Sequence, residues 1–405
     1  MKKNLLLVLL FLLPFGSRAQ ESTAHLLPDS AFASIITCGP GDEFYTSFGH
    51  SAIRIFNPAD SSDYVFNYGT FDFDIPHFYW TFARGKLNYC LSVTSFDQFI
   101  AEYRFEGRSV WEQRLRLTNQ ELNNLFILLC ENAKPEYRYY MYDFFRDNCA
   151  TRVRDQVSRA LCHRSLSPEN TSDTNLSYRN ILYRSTVDNL LWWRLGIDMA
   201  LGARCDKRCS NYEYMFSPYE MMKQFDTLTV SDTRQPIADP AVLLLPETRS
   251  PLSRSLSPTL LFWVLFLAVL TLTLLQWHKS WNMRWFDRTL FILVSIISLL
   301  AIFLWFFTDH YCTKLNLNIL WASPLFIHFA VRLNRSNRYL VYIQLLMLLA
   351  AMLLTVTAFP QQLNIAVFPI ALILALRLIA NLRHRAIPPQ NKGEKQKATK
   401  IINKR

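Results

Sequence analysis

Five apolar stretches follow Pro258 and constrain the chain more than any other feature: Thr259–Gln276, Thr289–Phe307, Leu317–Val331, Leu340–Ala358 and Asn364–Ala380. Crossing a bilayer takes a helix of roughly 20 apolar residues, and each stretch is near that length, the third being the shortest. The loops between them alternate in charge. Lys279, Arg284 and Arg288 mark the first, and Arg332, Arg335 and Arg338 the third. The second, Thr308–Asn316, has one Lys and one Asp, and the fourth, Phe359–Leu363, has no charge. From Arg377 onward nine Lys or Arg face Glu394 alone. Basic loops stay in the cytoplasm, so 277–288, 332–338 and the C-terminus read as inside and the residues before Pro258 as outside.

The N-terminus agrees. In MKKNLLLVLLFLLPFGSRAQ two Lys precede an apolar run too short to span comfortably, followed by small residues at Ser17 and Ala19. That is the pattern of a cleaved secretory signal, residues 1–19, with a mature start at Gln20. An uncleaved anchor is the alternative, and it exports the same residues. No Cys lies near that site, so the chain is not itself a lipid-anchored lipoprotein. The expected organisation is an exported domain at 20–258, a five-helix membrane domain at 259–380 and a basic cytoplasmic tail at 381–405.

This topology also accounts for the net charge of +11 and the mean hydropathy of +0.07, which averages a wet half and an apolar half. Residues 20–258 hold 24 Lys+Arg against 29 Asp+Glu, a net of −5. The positive excess belongs to topology, and a nucleic-acid partner has no support. A composition 51% hydrophobic excludes intrinsic disorder, and eight Cys in 405 residues are too few for a disulfide-dense miniature fold.

Within the exported part, Ser51–Asn57 and Tyr64–Phe71 read as strands joined by the turn-forming Pro58–Asp63, a hairpin. Lys86–Thr94 and Ser109–Leu117 read as further strands. Asn119 can cap a helix to about Asn132 that stops before Pro135. A second helix follows Asn148, with Ala150, Val153, Val157 and Leu161 inward and Arg152, Arg154, Asp155 and Arg159 outward. This is an α+β domain.

Two segments carry possible chemistry. One is a Gly-His pair opening a strand, Phe48-Gly49-His50-Ser51-Ala52-Ile53-Arg54-Ile55. The other puts Cys149 at the first turn of an amphipathic helix, after Asp147-Asn148. Unpaired N–H groups and the dipole at a helix start favour a thiolate, and an imidazole nearby completes a nucleophile. The same N–H groups can hold the oxyanion of an attacked carbonyl. Read alone, Cys149 is as well explained as a small buried hydrophobe, and His50 as a core or turn histidine. Cys205 and Cys209 could pair as a disulfide or remain thiols, while with only His163 nearby they fall short of a zinc site. Cys38, Cys90, Cys130 and Cys162 read as core. The stretch Asp309-His310-Tyr311, with Asn316, Asn318 and Trp321, reads as an aromatic belt and helix cap, or else as a lipid headgroup or substrate site.

A Cys at a helix start against a strand-borne His is the papain-like arrangement. Here the His comes first, which implies the permuted, NlpC-like version found in the lecithin:retinol acyltransferase branch. The chain most closely resembles the Lnb-type lipoprotein N-acyltransferases, through FGHSAIRI (48–55), VFNYGTFDF (65–73), FARGKLNY (82–89), EGRSVWEQ (106–113), YDFFRDNCATRVRD (142–155) and EYMF (213–216). The resemblance covers most of 36–219, and the five spans match the family's layout. It implies a permuted papain-like (NlpC-like) domain in the periplasm, followed by an all-α multi-span domain in the bacterial inner membrane. It further implies Cys149 as nucleophile, His50 as base and, from the strand after the His strand, Asn67 as the orienting residue, with Tyr68 and Asp63 as the next choices. The implied reaction moves an acyl chain from a phospholipid, through a Cys acyl-thioester, to the α-amine of an S-diacylglyceryl-cysteine lipoprotein N-terminus. No metal or organic cofactor is required. A thiol peptidase or amidase acting on cell-wall peptides is the competing reading, and a binding protein with a degenerate site a more distant one. Keeping water from a thioester requires an apolar cleft open to the bilayer, and Phe48, Tyr139, Tyr140, Phe144 and Phe145 are the expected walls, with 308–321 on the membrane side.

Overall fold

The computed structural model describes residues 26–43, 45–71, 76–167, 176–185, 191–249, 256–333 and 337–386. The signal segment 1–19, the mature start at Gln20 and the tail from 387 lie outside the described residues, as does the 72–73 end of the VFNYGTFDF block.

The chain opens with β1 (Phe32–Cys38), a strand that the alternation pattern does not announce. Next come β2 (His50–Asn57) and β3 (Ser62–Thr70), the expected hairpin, in register from Asn57 opposite Ser62. Its turn is built by side chains: Asn57 Oδ1 accepts from Ala59 N–H at 3.1 Å and Asp60 Oδ1 from Ser62 N–H at 3.0 Å. There follow α1 (Phe78–Ala83), β4 (Asn88–Ser95), α2 (Phe96–Phe105), β5 (Val110–Arg114), α3 (Asn119–Ala133), β6 (Tyr139–Met141) and α4 (Cys149–Ala160). The cap of α3 is Thr118 rather than Asn119. Its hydroxyl accepts from Glu121 N–H while the Glu121 carboxylate takes Thr118 N–H, a reciprocal box that Asn119, already helical, cannot make. β7 (Leu166–Ser167), α5 (Tyr178–Ser185), α6 (Leu191–Ala200), α7 (Asn211–Tyr214), α8 (Pro218–Phe225), β8 (Thr229–Val230) and β9 (Val242–Leu245) complete the domain.

Seven strands form one antiparallel sheet in the order β6-β4-β3-β2-β1-β5-β9. Helices cover both faces. Ile53, Ile55, Phe66 and Leu91 pack with Leu125 and Leu129 of α3, Val153 and Val157 of α4 and Phe225 of α8. Ala52, Val65 and Val110 pack on the other face with Phe99 and Tyr103 of α2. Helix α4 lies on β2 and β3. The His strand thus precedes the Cys helix in the chain and packs against it, as the permuted papain-like reading expects. Arg154, expected outward, is buried: it donates to Tyr212 O at 2.7 Å and stacks on the Tyr212 ring, both from α7.

Five helices follow: α9 (Pro258–Lys279), α10 (Arg284–Phe306), α11 (Leu325–Val331), α12 (Arg338–Thr357) and α13 (Val367–Ala386). Among the described residues, α9, α10 and α12 are long and apolar enough to cross a membrane. The third stretch departs from expectation. It is a 3-10 turn at Leu317–Leu320, a break at Trp321–Pro324 and then the seven residues of α11, not one helix. Seven residues rise only about 10 Å. Irregular backbone is tolerated at membrane depth only where protein covers it, and here Trp321, Ala322, Phe326 and Phe329 are buried against α10, α12 and α13. Gln344 of α12 serves the break: its Nε2 donates to Leu320 O at 3.1 Å and its Oε1 accepts from Ser323 Oγ. Arg377, counted above with the basic tail, is instead buried inside α13. It pairs with Asp287 at 2.6 Å and donates to Thr273 and Gln276 of α9.

Candidate active site

Cys149 is the first residue of α4, and Asn148 fixes it there. Asn148 Oδ1 accepts from Thr151 N–H at 2.9 Å, and Thr151 Oγ1 accepts from Asn148 N–H at 2.8 Å. The remaining amide hydrogens of Asn148 go to the carbonyls of Phe144 and Phe216, at 2.7 and 2.8 Å. The cap is therefore clamped from two loops, and the thiol is held at the dipole end of the helix. Burial pushes the Cys149 thiol above its ordinary 9.0, against the pull of the backbone N–H groups of Ser51, Ala150 and Cys149 and of the Arg108 charge. Asp147, its other polar neighbour, is turned away in a fork with Arg152 at 2.5 and 2.7 Å.

His50 opens β2 directly before Ser51, whose N–H reaches the sulfur. Its Nε2 lies 2.5 Å from Asn67 Oδ1 on the neighbouring strand. A carboxamide oxygen can only accept, so Nε2 carries the hydrogen and Nδ1 keeps the lone pair. Burial lowers the imidazole to about 4 against that hydrogen bond, with the Arg108 charge adding to the fall. Thiol and imidazole are thus both neutral at rest. Of the orienting candidates, Asn67 alone reaches His50. Tyr68 points through the other sheet face to Asn132 Oδ1 at 2.8 Å, and Asp63 forks with Arg54.

Gly69 makes the space between the pair. Its φ of +93° goes with a register break against β4 between Tyr68 and Thr70. A Cβ there would stand 3.6 Å from Cys149 Cβ and 3.8 Å from His50 Cε1, so both side chains border one small gap.

A cavity of about 460 Å³ opens at this gap, and its lining side chains fall into two chemical groups, an aromatic arm and a polar arm. One is aromatic, with Phe48, Phe71, Phe82, Tyr89, Phe144 and Phe216; the other is polar, with Ser92, Thr94, Glu102, Glu106 and Arg108. Of the expected walls, Phe48 and Phe144 line the cavity. Tyr139, Tyr140 and Phe145 do not: Phe145 packs in a separate core with Tyr178 and Phe216. Residues 308–321 do not line it either, but they touch its rim. His310 Nε2 lies 3.2 Å from Phe82 O, Asp309 N–H donates to Arg84 O at 2.9 Å, and Trp80 packs on Phe303 of α10 at 5.4 Å.

Asn316 and Asn318 serve as caps, one of the uses read for them: Asn316 Oδ1 accepts from Asn318 N–H at 3.0 Å at the start of the 3-10 turn. With Gln361 they also cap the C-terminal end of α6, taking Met199 O (2.8 Å from Asn316 Nδ2), Asp198 O (2.9 Å from Asn318 Nδ2) and, just past the helix, Leu201 O (2.9 Å from Gln361 Nε2). Cys205 and Cys209 are free thiols, and the sulfur facing Cys205 is that of Cys312. Cys38 is core as expected, whereas Cys162 is exposed and Cys90 and Cys130 are half-buried. Arg108 and Gly69 escaped the sequence reading of the site, although both sit in the blocks EGRSVWEQ and VFNYGTFDF.

Two family models match the chain, the Lnb N-terminal periplasmic domain over residues 18–183 and the Lnb transmembrane domain over residues 250–386. The chain belongs to the Lnb family. As a family member it is a membrane protein with a periplasmic N-terminal domain, and Cys149, His50 and Asn67 all fall within the periplasmic match. No curated protein and no solved structure matches this Lnb chain.

Proposed function

We propose that this Lnb chain is a thiol-dependent lipoprotein N-acyltransferase of the bacterial inner membrane, with the organisation 1–19 signal, 20–258 exported, 259–380 membrane and 381–405 cytoplasmic tail. The observation that carries the reading is a capped Cys149 beside the His50–Asn67 pair, in a cavity whose aromatic arm ends at Phe82 against the membrane-domain loop. Cys149 Sγ attacks an ester carbonyl of a phospholipid as His50 Nδ1 takes the thiol proton. The carbonyl oxygen then falls within reach of the N–H groups of Ser51, Cys149 and Ala150. Collapse breaks the ester C–O bond, and the lysophospholipid leaves with the proton from His50. The neutral α-amine of an S-diacylglyceryl-cysteine next attacks the thioester, His50 takes its proton and returns it to the departing sulfur, and an amide remains.

Both substrates carry acyl chains, which favours a site at the bilayer over a peptidase acting on a water-soluble polymer. Mass spectrometry of lipoprotein N-termini from cells with and without the protein tests the reading. Triacylated termini with it and diacylated termini without it are expected. Unchanged termini, with altered cell-wall peptides, would support the amidase instead.

A further inference from the structure

Arg108 is 4% exposed, yet its bonding is incomplete. Nε donates to Gly39 O at 2.9 Å, Nη1 to Glu106 at 2.8 Å, and the guanidinium stacks on Tyr103 at 4.6 Å. Buried Nη2 has no partner among the described residues. Thr94 Oγ1, in the same polar arm, is also buried without a partner among the described residues. Buried donors are nearly always satisfied, and two orphans lining one cavity mark the place of an absent acceptor. A guanidinium edge and a hydroxyl suit phosphate oxygens. Glu106 fixes the plane of the guanidinium, and Glu102, exposed at the rim and without an ion pair among the described residues, adds a second carboxylate. The arm therefore holds one cation against two carboxylates. A purely anionic headgroup meets a net negative lining there, whereas a phosphate that carries its own ammonium matches both signs.

We propose that the polar arm binds the headgroup of a zwitterionic, amine-bearing phospholipid, with its phosphate on Arg108 and Thr94 and its ammonium at Glu102. This rests on the acyl-donor reading above and names the class of donor. The aromatic arm takes the acyl chain, and the ester lies between the arms at Cys149. Arg108, Cys149 and His50 line the same cavity of about 460 Å³, so one lipid can meet all three.

The test uses the full chain with Cys149→Ala in lipid nanodiscs and measures binding of dioleoyl phosphatidylethanolamine, dioleoyl phosphatidylglycerol and dioleoylglycerol. Affinity should fall in that order. Arg108→Gln should weaken the ethanolamine lipid by about tenfold or more, the scale of one charge-assisted pair, while leaving dioleoylglycerol unchanged, and Arg108→Lys should restore part of the loss. Glu102→Gln should erase the preference for ethanolamine over glycerol headgroups and keep that of both over dioleoylglycerol. No preference among the three lipids, or an Arg108→Gln protein that binds phosphatidylethanolamine like its parent, overturns the proposal. Should Arg108→Gln lose all three together, the rim variant decides, and an intact ethanolamine preference in Glu102→Gln overturns it. Acyl-thioester on wild-type Cys149, read by intact mass, is a separate measurement. Its absence with every lipid sinks the acyltransfer reading without bearing on headgroup binding.

Discussion

At the scale of single residues, the hydrogen bond from His50 to Asn67 assigns distinct losses. Cys149→Ala should abolish turnover with the fold intact. His50→Ala should lower it by about 10²–10⁴-fold, the usual contribution of a general base. Asn67→Ala should cost less, and because the two act as one unit, His50→Ala/Asn67→Ala should be no worse than His50→Ala. Initial rates of acyl transfer check the ranking. The shifts set the pH behaviour. Thioester formation needs neutral His50, so it should persist down to acid pH and fall as pH drops through about 4, whereas transfer to the acceptor α-amine weakens once that amine protonates, below about 8. Cys149 lies above 9.0, so its alkylation by iodoacetamide should be slow at pH 7 and climb with pH. An alkylation rate flat from pH 5 upward means a standing thiolate–imidazolium pair and refutes the neutral resting state. The same shift bears on stability. The folded value of His50 lies below its ordinary 6.5, so its contribution is present above 6.5 and is lost as pH falls toward about 4. Gly69 makes a further prediction. Alanine at φ +93° is strained by about 1 kcal/mol or more and puts a methyl group in the gap, so Gly69→Ala should slow turnover with secondary structure retained, measured by rate and circular dichroism together. Cys149 and His50 were legible because helix starts and Gly-His turns leave local marks. Arg108 was not, because its role comes from the missing partner of one nitrogen.

At the scale of elements, what was legible follows from periodicity. Strands β2 to β5 alternate or lie between turn residues, and each appears within two or three residues of its expected bounds. Strand β1 is central, between β2 and β5, and buried on both faces from Ala33 to Cys38, so it shows no alternation to read. The third crossing misled for a related reason. Hydropathy registers an apolar run whether or not its backbone is helical, and the break at Trp321–Pro324 depends on a residue 20 positions away, Gln344. Replacing Gln344 by Leu keeps the hydropathy and removes both partners of the break. Leu320 O then loses its donor and the Ser323 hydroxyl hydrogen its acceptor, while Ser323 Oγ still accepts from Leu325 N–H at 3.3 Å. The change should destabilise the membrane domain by about 1–3 kcal/mol, read as a lower Tm in detergent, with Cys149 alkylation unchanged. An unchanged Tm means that the break is satisfied without Gln344. The amides of Asn316 and Asn318 teach the same lesson: from sequence they were a cap without a named helix end or a headgroup site, and only the packed fold brings them, with Gln361, to the end of α6.

At the scale of the whole molecule, topology and site have to agree about where substrate arrives. Loop 308–316 and Gln361 touch the periplasmic domain, while Arg288 at the start of α10 donates to Ala330 O at the far end of α11, so 316–331 runs from the periplasmic side inward despite its break. A C-terminal alkaline phosphatase fusion should therefore be inactive and a C-terminal fluorescent fusion bright; the reverse pattern would overturn the five-crossing count. The link between bilayer and cavity is α1. Tyr79 is 80% exposed and Trp80 56%, with Trp80 packed on Phe303 of α10, itself stacked on the exposed Phe307, while Phe78 and Phe82 of the same short helix stack on each other and Phe78 on Phe71. Exposed aromatics in such a row belong in the interfacial zone of a membrane, where their rings are half solvated by lipid. On the acyltransfer reading proposed above, helix α1 seats the aromatic arm at the depth where acyl chains begin. Tyr79→Asp/Trp80→Asp alters residues outside the cavity and leaves the Cys149–His50–Asn67 geometry untouched. In liposomes the variant should transfer acyl chains from membrane phospholipid far more slowly than wild type. With a short-chain thioester dissolved in water the two should form acyl-enzyme at equal rates, because that donor needs no seat in the bilayer. Equal rates from both donors would make the spans a simple anchor and restore the case for a site that serves water-soluble peptides. An equal loss from both would mean instead that α1 shapes the site rather than its access.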